Sequence, residues 1–234
     1  MSDSALAAYW RFFETFNTRD AYAFSSAMNY PQVRVSWARQ AVVLADMEAH
    51  ALSVSWDAFI ASGWDHTNGA EPQVVAQSNA IAHINGGWTR VDAQGNAILS
   101  NRVCYIATNV DGHWGIQSRF GTDPGQRKAL DQQLDREAAS NHVSAFLHAL
   151  DAGNGDAAWS YLADEFLQIG VGAVVRHKHG DELWLPYAGI EALRIIQSGP
   201  SSATFSAALD NRHALFYVTV DSENRFQIKA GSWL

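Results

Sequence analysis

Near the amino terminus apolar side chains recur every three or four residues: Leu6, Tyr9, Trp10, Phe13 and Phe16 all fall within residues 4–17. That spacing predicts an amphipathic helix with an aromatic stripe. Asn17-Thr18-Arg19-Asp20 breaks it, and Asp20 is placed to cap a second, shorter helix from Ala21 to Met28. The period then drops to two. Val33-Arg34-Val35-Ser36-Trp37 alternates, Ala38-Arg39-Gln40 turns, and Ala41 to Ala45 is apolar and β-branched, which predicts a hairpin. Ser53 to Ser62, with Val54, Phe59 and Ile60, returns to a helical pattern that Gly63 stops. Asn68-Gly69 reads as a turn. Three long strands follow, Gln73 to Asp92, Ala97 to Val110 and His113 to Phe120, with hairpin signals at Asp92 to Gly95 and at Asp111-Gly112.

The same order is written again from about Arg136. Val143, Phe146, Leu147 and Leu150 share a helical face, and Asp156 takes the place of Asp20. Phe166 to Val175 and Leu183 to Tyr187 are expected to form the hairpin, with its tip at His177-Lys178-His179-Gly180-Asp181-Glu182. Ile190 to Ile196 is expected as the third helix. Ala203 to Leu209, Ala214 to Val220 and Arg225 to Trp233 close a second meander. A repeat of roughly 110 residues exceeds the periods of about 20–50 that mark solenoid units, so it indicates two domains. The expected division is 1–122 and 136–234. Residues 123–135 form a helical linker between them, opened by Asp123-Pro124 and continued through Leu130, Leu134 and Ala138.

Two stretches carry a family resemblance. Phe16-Asn17-Thr18-Arg19-Asp20 after an aromatic helix, and its counterpart from Leu147 to Phe166, resemble the opening of nuclear transport factor 2-like, or SnoaL-like, domains. Trp114 to Arg119 and Phe226 to Gly231 resemble that superfamily's last strand. The resemblance implies an α+β fold of two tandem cone-like domains, each with helices packed on a strongly curved antiparallel sheet that leaves a pocket at its open end. It further implies a small apolar ligand and a cofactor-free isomerase, dehydratase or hydrolase. The alternative it leaves is a non-catalytic ligand-binding or dimerisation module. Because many members pair through their sheets, the two copies are expected to form an intramolecular pseudo-dimer, or the chain a homodimer.

Composition narrows the partners. With 24 acidic against 16 basic residues, a formal charge of −8 and no basic run, nucleic acid is not an expected partner. No stretch of about twenty apolar residues suggests a membrane span. Cys104 is the single cysteine and lies in the apolar alternation Val103-Cys104-Tyr105-Ile106, which suits a reducing, cytoplasmic setting. Nine tryptophans and eleven phenylalanines supply aromatic walls for a core or a pocket.

Chemistry in such a cone needs an ionisable side chain at an apolar cavity, where burial shifts its pKa. Four candidates for catalysis follow: Asp65 and His66 in the loop after the third helix, His83 within the apolar strand Ala80 to Asn85, and Tyr105 as a proton donor. Tyr9, Trp10, Phe13, Trp37, Trp56 and Trp114 are the candidate ligand wall. Arg90 and Asp92 share a strand face and read as an exposed ion pair. Asp46, at the end of the first hairpin, is a carboxylate that could look into the cone. The His177-to-Glu182 tip reads as a solvated turn, so no metal and no cofactor are expected.

Overall fold

The computed structural model describes residues 3–36, 40–122, 134–183, 189–210, 212–221 and 223–234. Two compact units result, one built on the described residues up to 122 together with Val171–Ala173, the other on the remaining described residues from 134. Each has its own sheet and its own hydrophobic core.

The first unit opens with α1 (Ala5–Asn17), capped by Ser4, and α2 (Ala21–Ser25), where the Asp20 carboxylate accepts from the Tyr22 and Ala23 amides at 2.9 and 3.0 Å. The buried face of α1 is Ala5, Ala8, Tyr9, Phe12, Phe13 and Phe16. Trp10 and Leu6, read from spacing as part of that face, instead remain 37% and 41% exposed at its edge. The strands are β1 (Met28–Val35), β2 (Val42–Leu44), β3 (His66–Gly69), β4 (Gln73–Gln77), β5 (Ile81–Val91), β6 (Ala97–Val110) and β7 (His113–Gly121), in the order β2-β1-β7-β6-β5-β3, with β4 also on β5. All pairs are antiparallel except β1 with β7, which run parallel because the chain returns from the meander to the strand that left the helices. Breaks in register between Met28 and Val33, between Ile106 and Ala107 and between Arg90 and Val91 bend the sheet around α1.

Four expectations change here, the first being the strand Gln73 to Asp92, which is two strands, β4 and β5, paired antiparallel about residues 78–80. The span Ser53 to Ser62 is not one helix. Its first three residues, Ser53-Val54-Ser55, are the break after α3 (Met47–Leu52), and only Trp56–Ala61 is helical, as α4. Asp46, rather than entering the cone, is the N-cap of α3 and accepts from the Ala49 amide at 2.8 Å. Asn68-Gly69 is not a turn: it belongs to β3, whose Thr67 pairs with Arg90 and whose Gly69 pairs with Trp88. Gly63 does end its helix, at φ 82°. The hairpin turn at Ala38-Arg39 lies outside the described residues.

The second unit has α5 (Arg136–Asp151), α6 (Gly155–Trp159), β8 (Leu162–Gly170), β9 (Ala173–Lys178), β10 (Ile190–Ser198), β11 (Ser202–Leu209), β12 (Arg212–Val220) and β13 (Phe226–Trp233). Its sheet order, β9-β8-β13-β12-β11-β10, repeats that of the first unit, including the parallel central pair β8 with β13. Asp135 caps α5 by accepting from the Glu137 and Ala138 amides, so this helix starts afresh at Arg136 rather than continuing through Leu134. The expected linker helix from Asp123 lies otherwise outside the described residues. Asn154, not Asp156, caps α6. Ile190 to Ile196 is strand, not helix. Its apolar spacing fits either period, but β-branched residues and pairing with β11 select the sheet. The hairpin turns at Val171-Gly172, where Gly172 has φ 60°, so His177 lies within β9 instead of at a tip. Trp184 to Tyr187 lies outside the described residues. Among the described residues no helix is long and apolar enough to cross a membrane.

Candidate functional site

A cavity of about 170 Å³ lies in the first unit, between the carboxyl-terminal half of α1 and the inner face of the sheet. Phe12, Phe13 and Phe16 of α1, Phe24 of α2, Phe59 of α4 and Trp88 of β5 line it. Ser53, Val54 and Ser55, the break between α3 and α4, form part of its rim. Its polar lining consists of Ser53, Ser55, Thr67 and three arginines, Arg34, Arg90 and Arg119.

Strand register explains how the arginines converge. Arg34 of β1 lies opposite Arg119 of β7, Arg119 opposite Tyr105 of β6, and Tyr105 opposite Ile84 of β5, so the four form one row across the sheet. Arg90 stands two pairs of positions further along β5 than Gly86, on the face shared with Ala82, Ile84 and Trp88. Its guanidinium lies 4.6 Å from the ring centroids of both Phe59 and Trp88, and that of Arg119 lies 5.4 Å from Phe12. Burial, and then the nearby charge of Arg119, pulls the Arg34 pKa down to about 9 and that of Arg90 to about 10. Both remain cations at neutral pH. Arg34 donates only weakly, at 3.4 Å, to Gln32 Oε1 and Ser53 Oγ. Among the described residues no carboxylate pairs with Arg34 or Arg90.

The sequence-derived candidates scatter around this cavity. Phe13 lines it. Asp65 and His66 do meet each other, Nδ1 to Oδ2 at 2.9 Å, and Asp65 also accepts from Arg19 at 3.3 Å, but their side chains are 46% and 42% exposed. Alternation along β3 turns Thr67 to the cavity and His66 away from it. His83 is fully buried, yet it sits on β5 between Ala82 and Ile84, whose side chains join the α1 core, and so faces the opposite side of the sheet. Tyr105 is sealed among Tyr9, Phe12 and Phe13, with its hydroxyl unpartnered, and burial pushes its pKa up. It does not line the cavity.

Tyr9 is a structural clamp: its hydroxyl donates to the carbonyl of Ala70 at 2.6 Å, with that of Gly87 at 3.1 Å, and burial raises its pKa to about 12. Trp56 stacks on Trp64 at 5.9 Å beside the cavity, outside its lining. Trp114 is buried in the core, and Trp37 lies outside the described residues. Arg90 and Asp92 do not pair. Asp92 instead holds the following turn, accepting from the Gln94 and Asn96 amides at 2.9 and 2.8 Å.

Sequence reading missed the cationic trio for a physical reason. Val33 and Val35 flank Arg34, and Ser118 and Phe120 flank Arg119, and all four flanking residues are buried on the other face of the sheet. Alternation of apolar and polar residues therefore points the arginines outward, whereas the central strands are covered on both faces. A buried Ser–His contact also went unread: His50 of α3 meets Ser25 Oγ through Nδ1 at 2.7 Å, and burial, followed by Arg34 and Arg119, pulls its pKa down to about 3.

Solved structures similar to this chain include proteins described as having a cystatin-like fold. A domain of unknown function from Nostoc punctiforme aligns at 16% identity over 62% of this chain and 93% of its own, with a TM-score of 0.41. A nuclear transport factor 2-like protein of unknown function from Shewanella oneidensis aligns at 12% identity over 50% of this chain and 93% of its own, with a TM-score of 0.41. A ketosteroid isomerase-like protein from Erwinia carotovora aligns at 16% identity over 49% of this chain and 89% of its own, with a TM-score of 0.36. No family model and no curated protein matches the sequence. A helix laid on a sheet of the same strand order is present once in each half, so the chain carries two such α+β units in tandem.

Proposed function

We propose that the first cone is a small-molecule binding domain that takes a single-ring aromatic ligand between α1 and the sheet. The carrying observation is the cavity itself: about 170 Å³ walled by six aromatic side chains. An apolar cavity of about 150 Å³ suffices to hold benzene in an engineered protein, so the size suits one ring with a substituent. A cofactor-free isomerase, dehydratase or hydrolase would need a proton acceptor at the ligand. The described lining supplies guanidinium and hydroxyl groups, while Asp65, His66 and His83 point elsewhere. Binding without chemistry is therefore the reading that the geometry favours.

A thermal-shift screen of substituted benzenes and phenols tests it. Occupancy at 100 times Kd should stabilise the protein by about 2.7 kcal/mol and raise its melting temperature. A Val54→Trp variant, which fills the rim, should lose that response while keeping its own melting temperature. If no compound in the screen shifts the wild-type protein, the reading fails.

A further inference from the structure

Behind one end of the cavity wall stand two buried polar atoms that the fold does not pair. Gln32 is fully buried and His50 is 1% exposed, and among the described residues neither Gln32 Nε2 nor His50 Nε2 has a hydrogen-bond partner. Buried polar atoms left in that way are costly and uncommon. Both residues are tied to the lining. Arg34 Nε donates to Gln32 Oε1 and Arg34 Nη2 to Ser53 Oγ, each at 3.4 Å, while Ser53 Oγ donates to the His50 carbonyl at 2.7 Å. The His50 ring also lies 5.1 Å from that of Phe24, another lining residue. Hydrogen bonding fixes what each atom offers. The single hydroxyl proton of Ser25 goes to the Ala21 carbonyl at 2.7 Å, so the 2.7 Å contact between Ser25 and His50 has Nδ1–H as its donor. The ring is neutral, because burial, and then Arg34 and Arg119, brings its pKa to about 3. His50 Nε2 is therefore a bare acceptor. Arg34 takes the oxygen of Gln32, which leaves the amide nitrogen as a donor.

Resting on the binding reading above, we infer that the ligand is a phenol, its ring among Phe12, Phe13, Phe16 and Phe24 and its hydroxyl at the Arg34–Ser53 end, donating to His50 Nε2 and accepting from Gln32 Nε2. A hydroxyl is the smallest group that both donates and accepts, which is the combination these two atoms require. An ether oxygen would serve Gln32 alone, and a methyl group neither. The bonds of Arg34 to Gln32 and Ser53 are long for hydrogen bonds, so its side chain yields to an entering hydroxyl at small cost. The cavity of about 170 Å³ admits one ring with a substituent of that size.

Calorimetric titration of the full chain with phenol, anisole and toluene tests the assignment. Phenol should bind tighter than anisole, which has no proton for His50, and should lose roughly 10-fold in affinity on His50→Phe and again on Gln32→Met, the effect of one hydrogen bond each. Toluene makes neither bond, so its affinity reports whether a variant keeps the cavity. Where a variant does not, the comparison of the three ligands on the wild-type chain decides alone. Nitrogen NMR of the histidine-labelled chain gives a second readout. His50 Nε2 should be the unprotonated nitrogen of its ring, and its resonance should move with phenol and not with toluene. Anisole or toluene binding as tightly as phenol overturns the hydroxyl assignment and leaves the binding reading standing. A proton on Nε2 in the phenol-bound chain overturns it as well. Failure of all three ligands to bind removes both readings.

Discussion

At the scale of single residues the polar groups of the first cone divide into those that hold the fold and those that line the cavity. Tyr9 belongs to the first set, because its hydroxyl meets two backbone carbonyls from the loop before β4 and from β5. Tyr9→Phe removes that donor from a buried place and should cost about 1–3 kcal/mol in denaturant unfolding. His50 is held neutral, its pKa brought to about 3 by burial and by Arg34 and Arg119. Above the ordinary histidine pKa near 6.5 both folded and unfolded chains carry it neutral, and its contribution to stability is complete. As pH falls below that value the unfolded chain takes a proton that the native site refuses, so stability drops by up to about 1.4 kcal/mol per pH unit until the folded pKa is reached. His213, lowered to about 4 by burial and then Arg194, adds a second such proton in the other cone. His50→Gln should flatten the fall in unfolding free energy between pH 6.5 and 4, measured by urea titration at each pH, and an unchanged slope would contradict the burial of its neutral form. Asp65 and His66 are half-exposed and are not part of the cavity lining, although Thr67 next to them is. An Asp65→Asn, His66→Ala double variant is expected to leave ligand affinity unchanged.

At the scale of elements, the first two helices of each copy, the strands β6 and β7, and the repeat could be read from period, caps and turn residues, because those signals are local. Asp20 accepts from backbone amides where α2 begins, as its position before Ala21 predicts. What escaped the sequence depends on partners distant along the chain. The strand β10 shows an apolar spacing that a helix could share, and only β11 decides it. The inward turn of Arg34 and Arg119 depends on the opposite face of the sheet being buried too, which neither strand announces in its own sequence. Close approach of elements leaves a testable mark at Gly115 of β7. A Cβ there would lie 2.7 Å from the Met28 carbonyl carbon and 2.9 Å from the Asn29 nitrogen, both backbone atoms of β1. Gly115→Ala therefore forces the parallel pair apart and, like other overpacking changes, should cost about 1–3 kcal/mol in the same unfolding measurement. Gly95→Ala does not crowd any neighbour but sits at φ 82°, so its cost arises from backbone strain alone.

At the scale of the whole chain the two cones repeat one register with different side chains in it. In the first, Arg34 pairs with Arg119, Arg119 with Tyr105, and Tyr105 with Ile84. The corresponding row of the second is Gln168, Gly231, Phe216 and Phe205, reached through the same parallel pair with its irregularity at the same place. Both cations are absent from that row. At Gly231 a Cβ would lie 2.6 Å from the ring of Trp233, which also meets the buried Phe216 edge-on at 5.4 Å. Gln168 is engaged by His177 Nε2 at 2.9 Å. Where the first cone presents guanidinium groups to a cavity, the second presents an aromatic plug to its own core. The tandem chain should therefore bind one aromatic ligand and not two. Calorimetry or native mass spectrometry should give one ligand per chain at saturation, and Arg119→Gly with Arg34→Gln, which writes the second row into the first cone, should abolish that single site. A stoichiometry of two would mean that the Trp233 side of the second cone opens to ligand, and the asymmetry read from these rows would be wrong.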